Sequence, residues 1–128
     1  MTKFSKIFFI AILFLGFFGL AQSSEAANHY VRDGATGLGN GSDWTNAYTT
    51  LPATLVRGDT YYIADGSYAS YTVDDAVSGV LVITIKKATT SAHGTDTGWD
   101  SSYGDGQAVF TPPFNIIESY ITFDGVTG

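Results

Sequence analysis

Beyond residue 27 the chain alternates short apolar runs with turns rich in Gly, Asp and Ser, whereas residues 7–20 form one unbroken block of Ile, Phe, Leu, Ala and Gly. Lys3 and Lys6 precede that block and small or polar residues follow it, the three-zone pattern of a secretory signal. An uncharged stretch of about 14 residues is shorter than the roughly 20 that span a bilayer. The pattern therefore predicts a signal peptide over 1–26, an extracytoplasmic mature segment over 27–128 and no transmembrane segment once the signal is removed. Cleavage after Ala26 uses Ser24 and Ala26 as its small residues; cleavage after Ala21 uses Gly19 and Ala21, and both fit.

His29, Tyr30 and Val31 read as a short strand leading into a glycine-rich turn over 33–43. Behind a Ser42 or Asp43 N-cap, Trp44, Ala47, Tyr48, Leu51 and Leu55 recur at helical spacing, which predicts a short amphipathic helix that Pro52 ends. Residues 60–64 are rich in strand formers and close on Asp65-Gly66. Over 79–88 the run Val80, Leu81, Val82, Ile83, Thr84, Ile85 puts apolar groups on both alternating faces, which predicts a strand buried on both sides, as in parallel sheets. A third run over 108–111 stops at Pro112-Pro113, the mark of a corner, and resumes over 114–117 and 120–123 before Asp124-Gly125.

The length, less the signal, leaves room for one small domain or part of a larger one. With 45% hydrophobic and only 14% charged residues, the chain lies outside the disordered class. Losing Lys3, Lys6 and Glu25 takes the net charge from −6 to about −7 and leaves Arg32, Arg57, Lys86 and Lys87 as the cations, so a basic nucleic-acid footprint is absent and an anionic lipid surface is a poor partner. There is no Cys, which excludes disulfides and points to a stacked, repetitive core as the source of stability.

Tyr61-Tyr62-Ile63-Ala64-Asp65-Gly66 and Tyr120-Ile121-Thr122-Phe123-Asp124-Gly125 echo each other, with the aliphatic run between them. Two architectures follow from the spacing: a solenoid in which each coil gives one strand to a parallel sheet, or an antiparallel sandwich with Asp-Gly hairpins. The order Tyr30-Val31, glycine-rich turn, Ser42-Asp43-Trp44-Thr45-Asn46-Ala47, Leu51, then Arg57-Gly58-Asp59-Thr60-Tyr61-Tyr62-Ile63-Ala64-Asp65-Gly66-Ser67-Tyr68 resembles the opening of right-handed parallel β-helix proteins of the pectate-lyase-like superfamily, with Ser67 where Thr is commoner. Ser119-Tyr120-Ile121-Thr122-Phe123-Asp124-Gly125 resembles a later coil of that family. The resemblance implies an all-β, right-handed parallel β-helix with a short N-terminal capping helix. Because Gly128 follows a strand directly and solenoids need stacked repeats and a capped end, it also implies a chain that continues into further coils. It further implies action on or binding of polysaccharide, as a lyase or glycoside hydrolase if enzymatic, or alternatively a surface stalk or adhesin-like structural role.

No catalytic set is identifiable in the residues themselves. The polar stretch 89–107 holds the candidate site: Trp99 and Tyr103 as surfaces for sugar rings, and Asp96, Asp100 and Asp105 as oxygen ligands for Ca²⁺, a cation that takes six to eight of them. His93 lies in the same stretch. Asp74-Asp75 reads as a solvated turn, and Lys86-Lys87 as a strand end whose charges protect the edge or snorkel.

Overall fold

The computed structural model describes residues 25–125, so the signal peptide read over 1–26 lies, but for its last two residues, outside the described residues. Eight strands follow in order: β1 (Asn28–Val31), β2 (Thr60–Ile63), β3 (Gly66–Tyr68), β4 (Tyr71–Val73), β5 (Ile83–Lys87), β6 (Ala108–Phe110), β7 (Phe114–Ile116) and β8 (Ile121–Asp124). They form a four-stranded sheet ordered β1-β2-β5-β8 and two-stranded sheets β3-β6 and β4-β7. Every pairing between these strands is parallel, which removes the antiparallel hairpin alternative. Three strands met in order, β2, β3, β4, pair one for one with the next three, β5, β6, β7.

Register on the large sheet follows the period-2 alternation of strands. Tyr61, Ile85 and Phe123 align across three strands, and Ile63 aligns with Lys87; this row faces the core of Val31, Leu51, Leu55, Tyr61, Ile63 and Ile85. On the opposite face Asn28, Thr60, Thr84 and Thr122 make one row, and Tyr30, Tyr62, Lys86 and Asp124 make the next. β3 and β4 are three residues each, and the turn signal Asp65-Gly66 obscures the first of them in the sequence. Their inward residues Tyr68 and Val73 close the core. Pro112-Pro113, joined by a cis bond, lies between β6 and β7, where the sequence places a corner.

The helix expected after Ser42 or Asp43 does not form, and the only helical element among the described residues is a single 3₁₀ turn, Ser101–Tyr103. Local and long-range partners take the backbone groups that a helix would use. Asp43 Oδ1 accepts from the Asn46 amide at 2.8 Å, Asn46 O accepts from Asn40 and Gly41, and the Trp44 amide donates to Thr97 O. Tyr48 N and O then bond Tyr30 O and Arg32 N, a parallel bridge against β1. Side chains of the Asp and Asn type compete with helix in this way. The periodic apolar residues are nonetheless buried, Leu51 and Leu55 in the main core and Trp44 and Ala47 in a second cluster with Tyr30, Ala64 and Ala88.

The strand expected from Val80 begins only at Ile83. A turn closed by Leu81 N to Ser78 O, through Gly79 at φ 58°, leaves Val80, Leu81 and Val82 at the surface. Within β5 burial alternates, Ile83, Ile85 and Lys87 inward and Thr84 and Lys86 half-exposed, so the strand is not buried equally on both faces.

Candidate functional site

The segment 89–107 leaves the end of β5 and packs on the outward face of the large sheet, where the small residues Ala64 and Ala88 make room for it. Its hold is built from close approaches. The Trp44 indole N–H donates to His93 O at 2.9 Å, and the places where Cβ atoms would stand on Gly94 and Gly98 are filled by Tyr30 and Thr45. Side chains at those two positions would be excluded by volume, which explains glycine there independently of turn chemistry.

Trp99 and Tyr103 are brought together, with ring centroids 5.8 Å apart and perpendicular. Trp99 also lies against Trp44 at 4.9 Å and stacks parallel on the His93 imidazole at 4.1 Å, while Arg32 sits over the Tyr103 ring at 4.7 Å. Both rings are half-buried, so they bind the segment to the sheet through their aromatic faces.

The three aspartates do not converge. Asp96 Oδ1 accepts from His93 Nε2 at 2.8 Å and the side chain is exposed to solvent; Asp100 caps the 3₁₀ turn, accepting from Ser102 N and Oγ. Those two Ser102 hydrogen bonds hold the Asp100 carboxyl below the ordinary carboxylate range. Asp105 lies instead beside Asp65. Among the described residues no group of three His, Cys, Asp or Glu side chains is arranged to hold a metal ion.

Lys86 and Lys87 end β5 as the sequence reads, but only Lys86 takes an outward, edge-type position. Lys86 faces outward, with Asp124 at 3.8 Å, whereas Lys87 is inward and 8% exposed. Its Nζ donates to Ala88 O at 2.5 Å and forms an ion pair with Asp65, whose other oxygen accepts from the Gly106 amide. Burial pushes the Asp65 carboxyl up, but Lys87 and the Gly106 N–H outweigh it and hold the group below its usual range. The alternation Ile83, Ile85, Lys87 was the signal available in the sequence, since period 2 places all three on one face. Asp75 also differs from the solvated reading: Asp74 is exposed, but Asp75 Oδ1 accepts from Leu55 N at 2.8 Å.

An open cavity of about 340 Å³ adjoins Lys87, walled by Ile85, Thr89, Gln107, Phe110, Phe123 and Asp124. It lies between the core-facing side of the large sheet and the segment that leads into β6, and so joins an apolar wall to a polar rim. On the other side of the sheet the Thr row lies beside the 89–107 segment, which covers Tyr30 in the cluster that Tyr62 packs against.

No protein-family model matches this chain, and no curated protein or solved structure matches it. Among the described residues no helix is long and apolar enough to cross a membrane.

Proposed function

We propose that this chain folds as part of an exported right-handed parallel β-helix that binds or acts on polysaccharide. The observation that carries the reading is the ordered parallel pairing of β2-β3-β4 with β5-β6-β7, extended by β1 and β8 on the large sheet. Export is supported by the basic, apolar and small-residue zones of residues 1–26.

The polysaccharide part rests on the outward face. Strands there succeed one another at about 4.8 Å, so the Thr60, Thr84, Thr122 row repeats a hydroxyl at each strand, beside Tyr62, Lys86 and Asp124. Such a surface offers hydrogen-bonding groups at regular intervals to a chain of hydroxylated rings laid across the strands, and the loops beside it supply shape. A structural stalk is the second reading, and one observation favours it: the rings of Trp99 and Tyr103 are engaged with His93, Trp44 and Arg32, which leaves them less surface for a ligand.

The test is a screen of the full-length exported protein against acidic and neutral glycans, read as binding and as release of shortened products. Binding that Thr84→Arg abolishes supports the outward face as the site. Neither binding nor cleavage across the panel rejects the polysaccharide reading in favour of the stalk.

A further inference from the structure

We propose that the mature protein begins at Ala27, and that removal of residues 1–26 creates an α-ammonium which the buried carboxylate of Asp59 binds as a built-in site for the new chain end. Four features around β1 and the turn before β2 carry this inference, which rests on the reading of residues 1–26 as an export signal.

A buried acceptor is already aimed at the atom concerned. The Asp59 side chain is 5% exposed, and its Oδ1 accepts from the Ala27 main-chain N–H at 2.9 Å. Both partners are held by backbone bonds: Thr60 N donates to Ala27 O, Asp59 N donates to Val56 O, and Asp59 O accepts from Thr84 N. Cations are scarce, and those among the described residues are engaged elsewhere. Arg32 lies over the Tyr103 ring, Arg57 directs its N–H groups to backbone carbonyls, Lys86 lies near Asp124, and Lys87 pairs with Asp65. Asp59 has instead His29, whose Nε2 donates to Oδ2 at 2.8 Å while its ring stacks on Tyr61. Withdrawing a carboxylate from water costs free energy unless charge and hydrogen bonds offset it, so a cation at the Oδ1 side completes the site. Glu25, Ala26, Ala27 and Asn28 are exposed, so the chain leading to Ala27 N stays at the surface and its removal leaves the core untouched.

The peptidase that removes export signals hydrolyses the Ala26–Ala27 bond by adding one water across it. The C–N bond breaks, Ala26 keeps the new carboxylate and leaves with the signal, and Ala27 keeps the amine, which takes a proton near neutral pH. At one fixed position a neutral amide donor thus becomes a cation. The contact with Oδ1 becomes a charge-assisted hydrogen bond, the shorter and stronger kind. Cleavage after Ala21 gives no such exchange, because residues 22–26 would carry the charge away from Asp59 and leave an amide at Ala27. Asp59 therefore distinguishes two cleavage positions that fit the sequence equally, and pairs with a cation there only in the chain processed after Ala26.

The experiment is the intact mass and tryptic map of the purified exported full-length protein, followed by acylation of its α-amine at neutral pH. The expected mass is that of a chain starting at Ala27, with an N-terminal peptide Ala27–Arg32 that separates this amine from Lys86 and Lys87. An opposite charge favours the protonated form, so the folded protein should acylate there about tenfold more slowly than the same protein unfolded in urea, and Asp59→Asn should restore the faster rate. A protein that begins at Gln22, or at any exported residue other than Ala27, overturns the proposal and leaves export standing. A chain that retains Met1 inside the cell overturns export and the proposal with it. An Ala27 amine that reacts equally fast folded and unfolded overturns the ion pair, a result that needs no variant to fold; slow acylation that persists in folded Asp59→Asn overturns it equally.

Discussion

The Trp44 indole N–H donates to the carbonyl oxygen of His93 at 2.9 Å, which ties the turn after β1 to the segment that leaves β5, 49 residues further along the chain. Trp44 is fully buried and touches Tyr30, Trp99 and Tyr103. Trp44→Ala should therefore cost about 3 to 5 kcal/mol, the range for truncating buried aromatics. Trp44→Phe, which keeps much of the volume but leaves His93 O without its donor, should cost about 1 to 3 kcal/mol. Urea unfolding monitored by circular dichroism measures both, and an unchanged midpoint for Trp44→Ala would remove Trp44 from the centre of this cluster.

Two glycines in the left-handed region separate backbone strain from crowding. Gly39 has φ 65° and open space where a Cβ would stand; Gly98 has φ 70°, with Thr45 Oγ1 2.2 Å and Thr45 N 2.5 Å from that position. Gly39→Ala should cost about 1 to 2 kcal/mol through conformation alone. Gly98→Ala carries the same cost and must also move the Thr45 backbone, so it should lower the melting temperature clearly further. Equal shifts in a thermal melt would mean that the close approach at Thr45 relaxes freely.

How far the sequence reveals this arrangement varies with the kind of signal. Burial of Trp44, Ala47, Leu51 and Leu55 follows from their spacing, because apolar side chains gathered on one face favour burial whether a helix or a turn carries them. The helix does not follow, because Asp43 and Asn46 satisfy turn amides locally and β1 claims Tyr48, a partner that only the assembled sheet supplies. Parallel pairing is hinted at by the aliphatic run before Lys86, yet Val80–Val82 belong to a surface turn that their composition alone does not distinguish from a strand. In the candidate site, the proximity of Trp99 to Tyr103 is legible as closeness in sequence. That Asp105 turns toward Asp65, away from Asp96 and Asp100, depends on contacts 40 residues apart.

Arg57 bonds four backbone carbonyls. Nε reaches Ala76 O at 3.2 Å, Nη1 reaches Ser119 O at 2.8 Å and Tyr120 O at 3.1 Å, and Nη2 reaches Asp75 O. It therefore holds the β4–β5 connection to the chain entering β8, where Tyr120 adopts φ 58°. Arg57→Ala should cost about 1.5 to 3 kcal/mol, the worth of hydrogen bonds to a charged donor. Arg57→Lys should recover little of it, because an ammonium lacks the planar fork that addresses several carbonyls at once. Hydrogen exchange should quicken at Ile83 N, which bonds Tyr120 O; full recovery by Lys would reduce the role to charge.

Burial pushes the hydroxyls of Tyr61, Tyr68 and Tyr71 up to about 12, against an ordinary value near 10. Tyr68 donates to Ala64 O at 2.9 Å and Tyr71 to Pro52 O at 2.6 Å, bonds that the phenolate cannot make. The neutral form is thus favoured in the folded chain. Between pH 10 and 12 the unfolded chain releases phenolic protons that the folded chain retains, so the tyrosine contribution to stability is complete below about pH 10 and falls away as the pH rises through 12. Spectrophotometric titration should show the phenols of Tyr61, Tyr68 and Tyr71 ionising only as circular dichroism reports unfolding. Tyr71→Phe, which removes one of the three delayed phenols, should soften the alkaline transition by one proton. Ionisation of every tyrosine near pH 10 with the fold intact would contradict the buried placement of these rings.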